Sequence, residues 1–257
     1  MPDSPRPQVP AADQTLRILS LLARQPGPVA AQTIASALEI PRSSTYHLLA
    51  TLEQHGYVVH LPGDRRWGLG TAAFELGGGY ARQQPLARLG RPLVAALSDR
   101  VGESAHLAVL AGRDVLYIVE ERAPRRPALV TDVGVRLPAH LTATGVAMLA
   151  ALPREQVRAS FPDATAFTQR HGRGPASPRA LRDLLREVRA TGYAVEDGEV
   201  TPGFRSVAAA VRDHAGWPAA AIAVTWPADA VRADPERFAT AATASAAELS
   251  RRIGRPA

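Results

Sequence analysis

Seven side chains between Arg42 and Arg66 have the types and spacing to grip a nucleic acid. In RSSTYHLLATLEQ, helical periodicity turns Thr45, Leu48, Leu49 and Leu52 to one side, which leaves Arg42, Ser43, Ser44, Tyr46, His47 and Ala50 facing outward. Small hydroxyls and helix-end amides suit phosphates, and longer polar groups reach base edges. Further on, Pro62-Gly63-Asp64 turns the chain and sets Arg65 and Arg66 at a tip, where they suit the sugar-phosphate backbone or the minor groove. Each piece alone also describes an ordinary solvated surface. Together, at this spacing, they point to DNA.

Catalytic alternatives are thinner. His106, His140 and His171 lie in the later part of the chain with acids available, but an isolated histidine near a strand usually serves structure. No HExxH, no GxSxG elbow and no metal-ligand cluster occurs. Glu196-Asp197-Gly198-Glu199 reads as a solvated turn and not as a metal site. Cysteine is absent, which removes disulfides, thiolate metal sites and cysteine nucleophiles. The expectation is a protein that is not an enzyme and uses no metal or cofactor.

The elements needed to position the seven residues are also visible. A first helix runs from Ala11 to Ala23, with Leu16, Leu19, Leu22 and Ala23 at helical spacing and Ile18 and Leu21 widening the stripe. Arg24-Gln25-Pro26-Gly27-Pro28 breaks it. A second spans about Ala30 to Leu38, and Glu39-Ile40-Pro41 turns into the helix that begins near Arg42 and ends near His55. Gly56 caps it, and Tyr57–His60 with Trp67–Leu69 form a hairpin. Helix, tight turn, helix and hairpin make a winged helix-turn-helix.

Beyond it, Thr71 to Arg82 predicts a linker helix loosened around Gly77-Gly78-Gly79. A helix from Leu86 to Val101 follows, then strands over 105–110 and 115–119, and a small-residue helix from Thr142 to Leu152. Ser177-Pro178 opens a helix that ends near Thr191-Gly192. Strands over 193–196, 206–211 and 219–225 and a closing helix over 235–252 complete an α+β domain. The expected domains are a disordered arm (1–10), a DNA-binding domain (11–70), a linker helix (71–85) and a second domain (86–257).

The net charge of +6 does not mark the DNA-facing end. Residues 1–70 carry six arginines and five acids, and residues 71–257 carry 24 and 19. DNA binding is therefore read from the positions of Arg42, Arg65 and Arg66, and not from pI. All 30 basic residues are arginine, and lysine and asparagine are both missing, which a GC-rich genome explains. No apolar run is long enough to span a bilayer, and the N-terminus lacks an apolar signal core. A soluble cytoplasmic protein is expected.

The whole series resembles the IclR family of bacterial transcriptional regulators. The resemblance is carried by IPRSSTYHLLATLEQHGYV (40–58), GVRLPAHLTATGVAMLAALP (134–153), GYAVEDGEVTPGFRSVAAAVRD (192–213) and PAAAIAVTWP (218–227). It implies an N-terminal winged helix-turn-helix, a linker helix and a C-terminal GAF-like effector-binding domain. It also implies a homodimer or dimer of dimers that binds double-stranded operator DNA under the control of a small organic effector. A ligand-independent DNA binder with a vestigial sensor domain is the alternative.

By the same resemblance, amides of Ala143-Thr144-Gly145 at a helix start match the family's carboxylate-holding segment, and helix-start amides favour anions. Glu196, Phe204, Ser206, Ala223 and Thr225 match positions that line the pocket. Two departures stand out: Val146 where relatives usually carry lysine, and Ala223 where relatives that bind small acids often carry serine. Both predict an effector more apolar than a two- or three-carbon acid, aromatic ones included. His47 replaces a common arginine in the recognition helix, and a histidine's proton exchanges near neutrality. Tighter operator binding at mildly acidic pH is expected.

Overall fold

Pro10 opens the first helix, α1 (Pro10–Leu22), at a position where a missing N–H breaks no helical hydrogen bond. This computed structural model describes residues 8–76, 85–124, 129–231 and 233–254. The expected arm therefore lies largely outside the described residues, as does 77–84 of the expected linker helix. The chain divides into two compact units, one within residues 1–83 and one within 84–257.

In the first unit, α1 buries Ile18, Leu21 and Leu22, while Leu16 and Ala23 are exposed. The stripe expected through Leu16 and Ala23 is thus displaced. Leucines on two sides of this helix leave periodicity unable to choose between them. After β1 (Val29–Ala30), α2 (Ala31–Leu38) ends at Glu39, whose φ of 56° bends the chain so that Ile40 turns into the core. Pro41 then leads into α3 (Arg42–Gln54), which buries Thr45, Leu49 and Leu52. The hairpin strands β2 (Val58–Leu61) and β3 (Arg66–Leu69) are joined by β1 in the order β1-β3-β2. Trp67 of β3 is buried beneath them with Ile34 and Leu52. Residues 71–76 form the described part of a helix, α4.

The second unit is an antiparallel sheet of six strands in the order β6-β5-β4-β9-β8-β7. Its strands are β4 (Ser104–Ala111), β5 (Asp114–Glu121), β6 (Arg136–Pro138), β7 (Ala194–Asp197), β8 (Phe204–Arg212) and β9 (Pro218–Pro227). Alternation along the strands feeds two cores. Leu107, Val207, Ile222 and Val224 face α5 (Pro85–Val101) and α9 (Pro235–Ile253), while Ala108, Tyr117, Ala208 and Ala223 face α6 (Ala143–Ala151) and α8 (Pro178–Thr191). Helix α6 is buried on every side, which its small residues permit. Ser177 caps α8 through the Ala180 amide, and Gly192 ends it at φ 84°.

Four elements are absent from the sequence expectations: β1, β6, the short α7 (Arg154–Ser160) and a 3₁₀ turn at Ala164–Ala166. Each is too short to show a period, and α7 buries only Val157.

Candidate DNA-reading face and effector cavity

Helix α3 presents Arg42, Ser43, Tyr46, His47 and Ala50 to solvent, with Ser44 half-buried. Its buried Thr45 hydroxyl is bonded to the Pro41 carbonyl at 3.2 Å and so is unavailable to a ligand. The wing differs from expectation. Arg65 stands in the turn with φ 51°, exposed, but Arg66 belongs to strand β3 and pairs with Ala30 and Leu61. Its guanidinium donates to the Pro28 carbonyl at 3.3 Å. The tip therefore carries Arg65, without a side-chain partner among the described residues, and Arg66 is drawn back across the sheet. The two-residue strand β1, invisible to period-two patterning, causes this.

The second unit holds a cavity between the start of α6 and the sheet. Its floor follows from register. Glu196, Ser206 and Thr225 are successive cross-strand neighbours on β7, β8 and β9, so all three side chains share one face. The Ser206 hydroxyl donates to Glu196 Oε2 at 2.9 Å and lies 3.0 Å from Thr225 Oγ1, and Glu196 Oε1 accepts from the Val200 amide at 3.0 Å. Burial raises the Glu196 pKa above the ordinary carboxylate range, only partly offset by those hydrogen bonds. In the next row, Ala223 faces His106 of β4.

His106 and Tyr117 complete the polar set. His106 is fully buried, and burial lowers its pKa to about 4, so the imidazole is neutral near pH 7. Its Nε2 lies 2.8 Å from Thr131 Oγ1, and Nδ1 has no hydrogen-bond partner among the described residues. The Tyr117 hydroxyl lies 3.4 Å from Thr144 Oγ1, and burial raises its pKa. Leu129, Val130, Thr131 and Phe204 add apolar and loop walls. The space open to the centre of a water-sized sphere is about 20 Å³.

Of the expected pocket positions, Thr144, Glu196, Phe204, Ser206, Ala223 and Thr225 line this cavity. Gly145 and Val146 do not. The Gly145 amide donates to its N-cap, Thr142 Oγ1, at 3.0 Å, and Val146 is buried in the core on the far side of α6. A first-turn geometry leaves the amides of Ala143 and Thr144 without carbonyl partners inside the helix. His106, Tyr117, Leu129–Thr131 and Thr142 were not expected. His106 and Tyr117 come from strands far away in sequence and only sheet register reveals them, Leu129–Thr131 come from a loop, and Thr142 is the N-cap two residues before Thr144.

The other histidines are tied to the fold. His140 Nε2 lies 2.9 Å from the Thr168 carbonyl, with its ring edge-on to Phe161 and Phe167, and His171 Nε2 lies 3.2 Å from the Val200 carbonyl. In the acidic turn, Glu199 folds back to accept from the Asp197 amide. Among the described residues, no group of three or more His, Asp or Glu could hold a metal ion, and no helix is long and apolar enough to cross a membrane.

A winged three-helix unit followed by a sheet domain with a small, mixed-polarity cavity is the layout of a DNA-binding transcriptional regulator. The family model described as the IclR helix-turn-helix domain matches residues 11–62, and that for the C-terminal part of bacterial transcriptional regulator IclR matches residues 78–251. The chain belongs to the IclR family of transcriptional regulators. The HTH-type transcriptional regulator BhcR of Paracoccus denitrificans is 32% identical over 225 residues, covering 84% of this chain and 77% of that protein. The transcriptional repressor IclR of Escherichia coli is 29% identical over 222 residues, covering 86% and 81%. A crystal structure of an IclR-type regulator from Alicyclobacillus acidocaldarius superposes with a TM-score of 0.85 at 26% identity, covering 96% of this chain and all of that one (100%).

Proposed function

We propose that this regulator is an effector-controlled repressor whose ligand is a carboxylate of moderately apolar or aromatic character. A homodimer, or a dimer of dimers, sets two α3 helices into successive major grooves of a near-palindromic operator. Arg42, Ser43, Ser44, Tyr46, His47 and Arg65 make the contacts, and Arg66 braces the wing. The observation that carries the effector reading is the cavity's division of labour. First-turn amides of α6 offer an anion site, the row Glu196–Ser206–Thr225 offers hydrogen bonds, and Phe204, Ala223 and Leu129 add apolar wall. No arginine lines it among the described residues, so the anion relies on amides and hydroxyls. Since Val146 is core, the apolar preference rests on Ala223, Phe204 and Leu129. Binding alters operator affinity through the difference in effector affinity between two arrangements of the protein.

The test is a thermal-shift screen followed by operator titration. Benzoate-type acids are expected to stabilise the protein and change its operator affinity. Stabilisation only by small polar acids such as glyoxylate would refute the effector class. An operator affinity untouched by every stabilising compound would favour the ligand-independent reading.

A further inference from the structure

Away from the effector cavity, α7 and α8 enclose a groove with about 410 Å³ open to the centre of a water-sized sphere. That is within the range of roughly 300–1,000 Å³ typical of small-molecule sites. Five arginines line it, Arg154 and Arg158 from α7 and Arg182, Arg186 and Arg189 from α8, and no acid does among the described residues. Buried Phe161 and Leu185 form part of an apolar floor.

The arginines are unequally engaged. Arg186 pairs with Asp183 at 2.7 Å, and Arg158 reaches Glu155 only at 3.9 Å. Arg154 and Arg182 have no ion-pair or hydrogen-bond partner among the described residues. Arg189 is fixed in place: its Nε donates at 2.8 Å to the Ala150 carbonyl at the end of α6, where a cation suits the helix dipole. Burial and the neighbouring Arg154 together push its pKa below the ordinary arginine value. The groove therefore holds five like charges side by side, only two of them offset by a neighbouring acid among the described residues.

We infer that this groove is a second ligand site, for a compact polyanion bearing two or more phosphates. Guanidinium forks match phosphate oxygens in geometry as well as charge. Several phosphates in a row are needed to engage arginines from both helices. A helical acidic peptide fits less well, because α7 has seven residues and is only about 10 Å long. The phosphates could belong to a nucleotide or to inorganic polyphosphate, which the experiment separates.

Full-length protein would be titrated calorimetrically with ATP and with inorganic tripolyphosphate at physiological ionic strength. The groove variant is Arg154→Gln/Arg182→Gln, chosen because neither side chain supports the fold, and the charge-matched control is Arg170→Gln/Arg179→Gln, outside the groove. Both ligands are expected to bind the native protein, with affinity falling about tenfold or more in the groove variant and unchanged in the control. Equal affinities would identify the phosphate chain as the recognised part, and tighter ATP binding would add a contact of the base with the apolar floor. The inference is overturned if neither ligand binds at millimolar concentration, or if both variants weaken binding equally. It is also overturned if the groove variant loses only non-specific DNA binding.

Discussion

Gly145 shows how tightly the start of α6 is seated, and Gly145→Ala measures it. A Cβ built there would lie 2.2 Å from the Ala139 carbonyl oxygen, 2.4 Å from Ala139 Cα and 2.6 Å from its carbonyl carbon. All three are backbone atoms, so no rotamer change can relieve the overlap. Either the start of α6 or the segment through Ala139 must move by about an ångström. Overpacking of this kind costs typically 1–3 kcal/mol and occasionally more, and a purely backbone clash belongs near the top of that range, about 3 kcal/mol. At roughly 2–4 °C per kcal/mol for a unit of this size, the melting temperature should fall by about 6–12 °C. Gly112→Ala is the comparison. Gly112 has φ +70° but open space around it, so only backbone strain of about 1–2 kcal/mol applies. The assay is thermal unfolding by circular dichroism, with effector-induced shifts recorded on both variants. Where the start of α6 is the side that yields, the Ala143 and Thr144 amides move with it, and effector stabilisation should shrink in Gly145→Ala and persist in Gly112→Ala. Equal melting temperatures for the two variants would refute the reasoning.

The buried titratable groups predict opposite pH effects. His106 is held near pKa 4 against an ordinary 6.5, so the unfolded chain takes up its proton first. Its neutral form is fully favourable above pH 6.5, and about 3 kcal/mol of stability is lost as pH falls towards 4. In His106→Gln, stability measured by denaturant titration should fall less over that window, and an unchanged slope would count against this. Glu196 behaves inversely. Its raised pKa favours the protonated fold, so its contribution is complete below the ordinary glutamate range and declines as pH rises through the folded value. The melting temperature of Glu196→Gln minus that of the native protein should therefore climb with pH, and a difference that stays constant or falls would argue otherwise. On the DNA-reading unit, Arg65→Ala should reduce the salt dependence of operator binding by about one phosphate contact. Arg66→Ala, which loses the Pro28 contact, should mainly loosen the wing. Equal salt slopes for the two variants would contradict the assignment.

The legible parts of this fold are those with strong local chemistry. Ser177-Pro178 and Gly192 mark both ends of α8, and Pro41 marks the start of α3, because caps and breakers act within a few residues. The cavity was harder to read. Glu196, Ser206 and Thr225 were placed by resemblance, and register then explains their meeting. His106 and Tyr117 carry no local mark, since their neighbours in space come from β9 and α6. Val146 misled for a related reason. Helix α6 is apolar all round, so no contrast in polarity distinguishes the side facing the cavity from the side facing the core. The same lack of contrast in α1 hid which leucines are buried, and β1 is too short to announce that it would hold Arg66 back.

The size of the effector cavity decides which wall must yield. About 20 Å³ of open space takes one water-sized group, far short of an aromatic acid. Helix α6 and strands β8 and β9 are packed against a core on the side away from the cavity. The turn at Val200 is tied to Glu196 through its amide. The segment Leu129–Thr131 belongs to no helix or strand, and among the described residues its side-chain hydrogen bond to the sheet is the 2.8 Å contact between Thr131 and His106. An effector of the proposed class is therefore expected to enter by displacing this segment, with an affinity set by the difference between contacts made and contacts released. Thr131→Val removes the tie and leaves His106 Nε2 unpaired in the closed arrangement, which raises the energy of that arrangement alone. Effector affinity measured by calorimetry should rise by roughly two- to tenfold, the value of one neutral hydrogen bond. A Thr131→Val protein that melts normally yet binds effector no more tightly would show that the segment is not what gates the cavity.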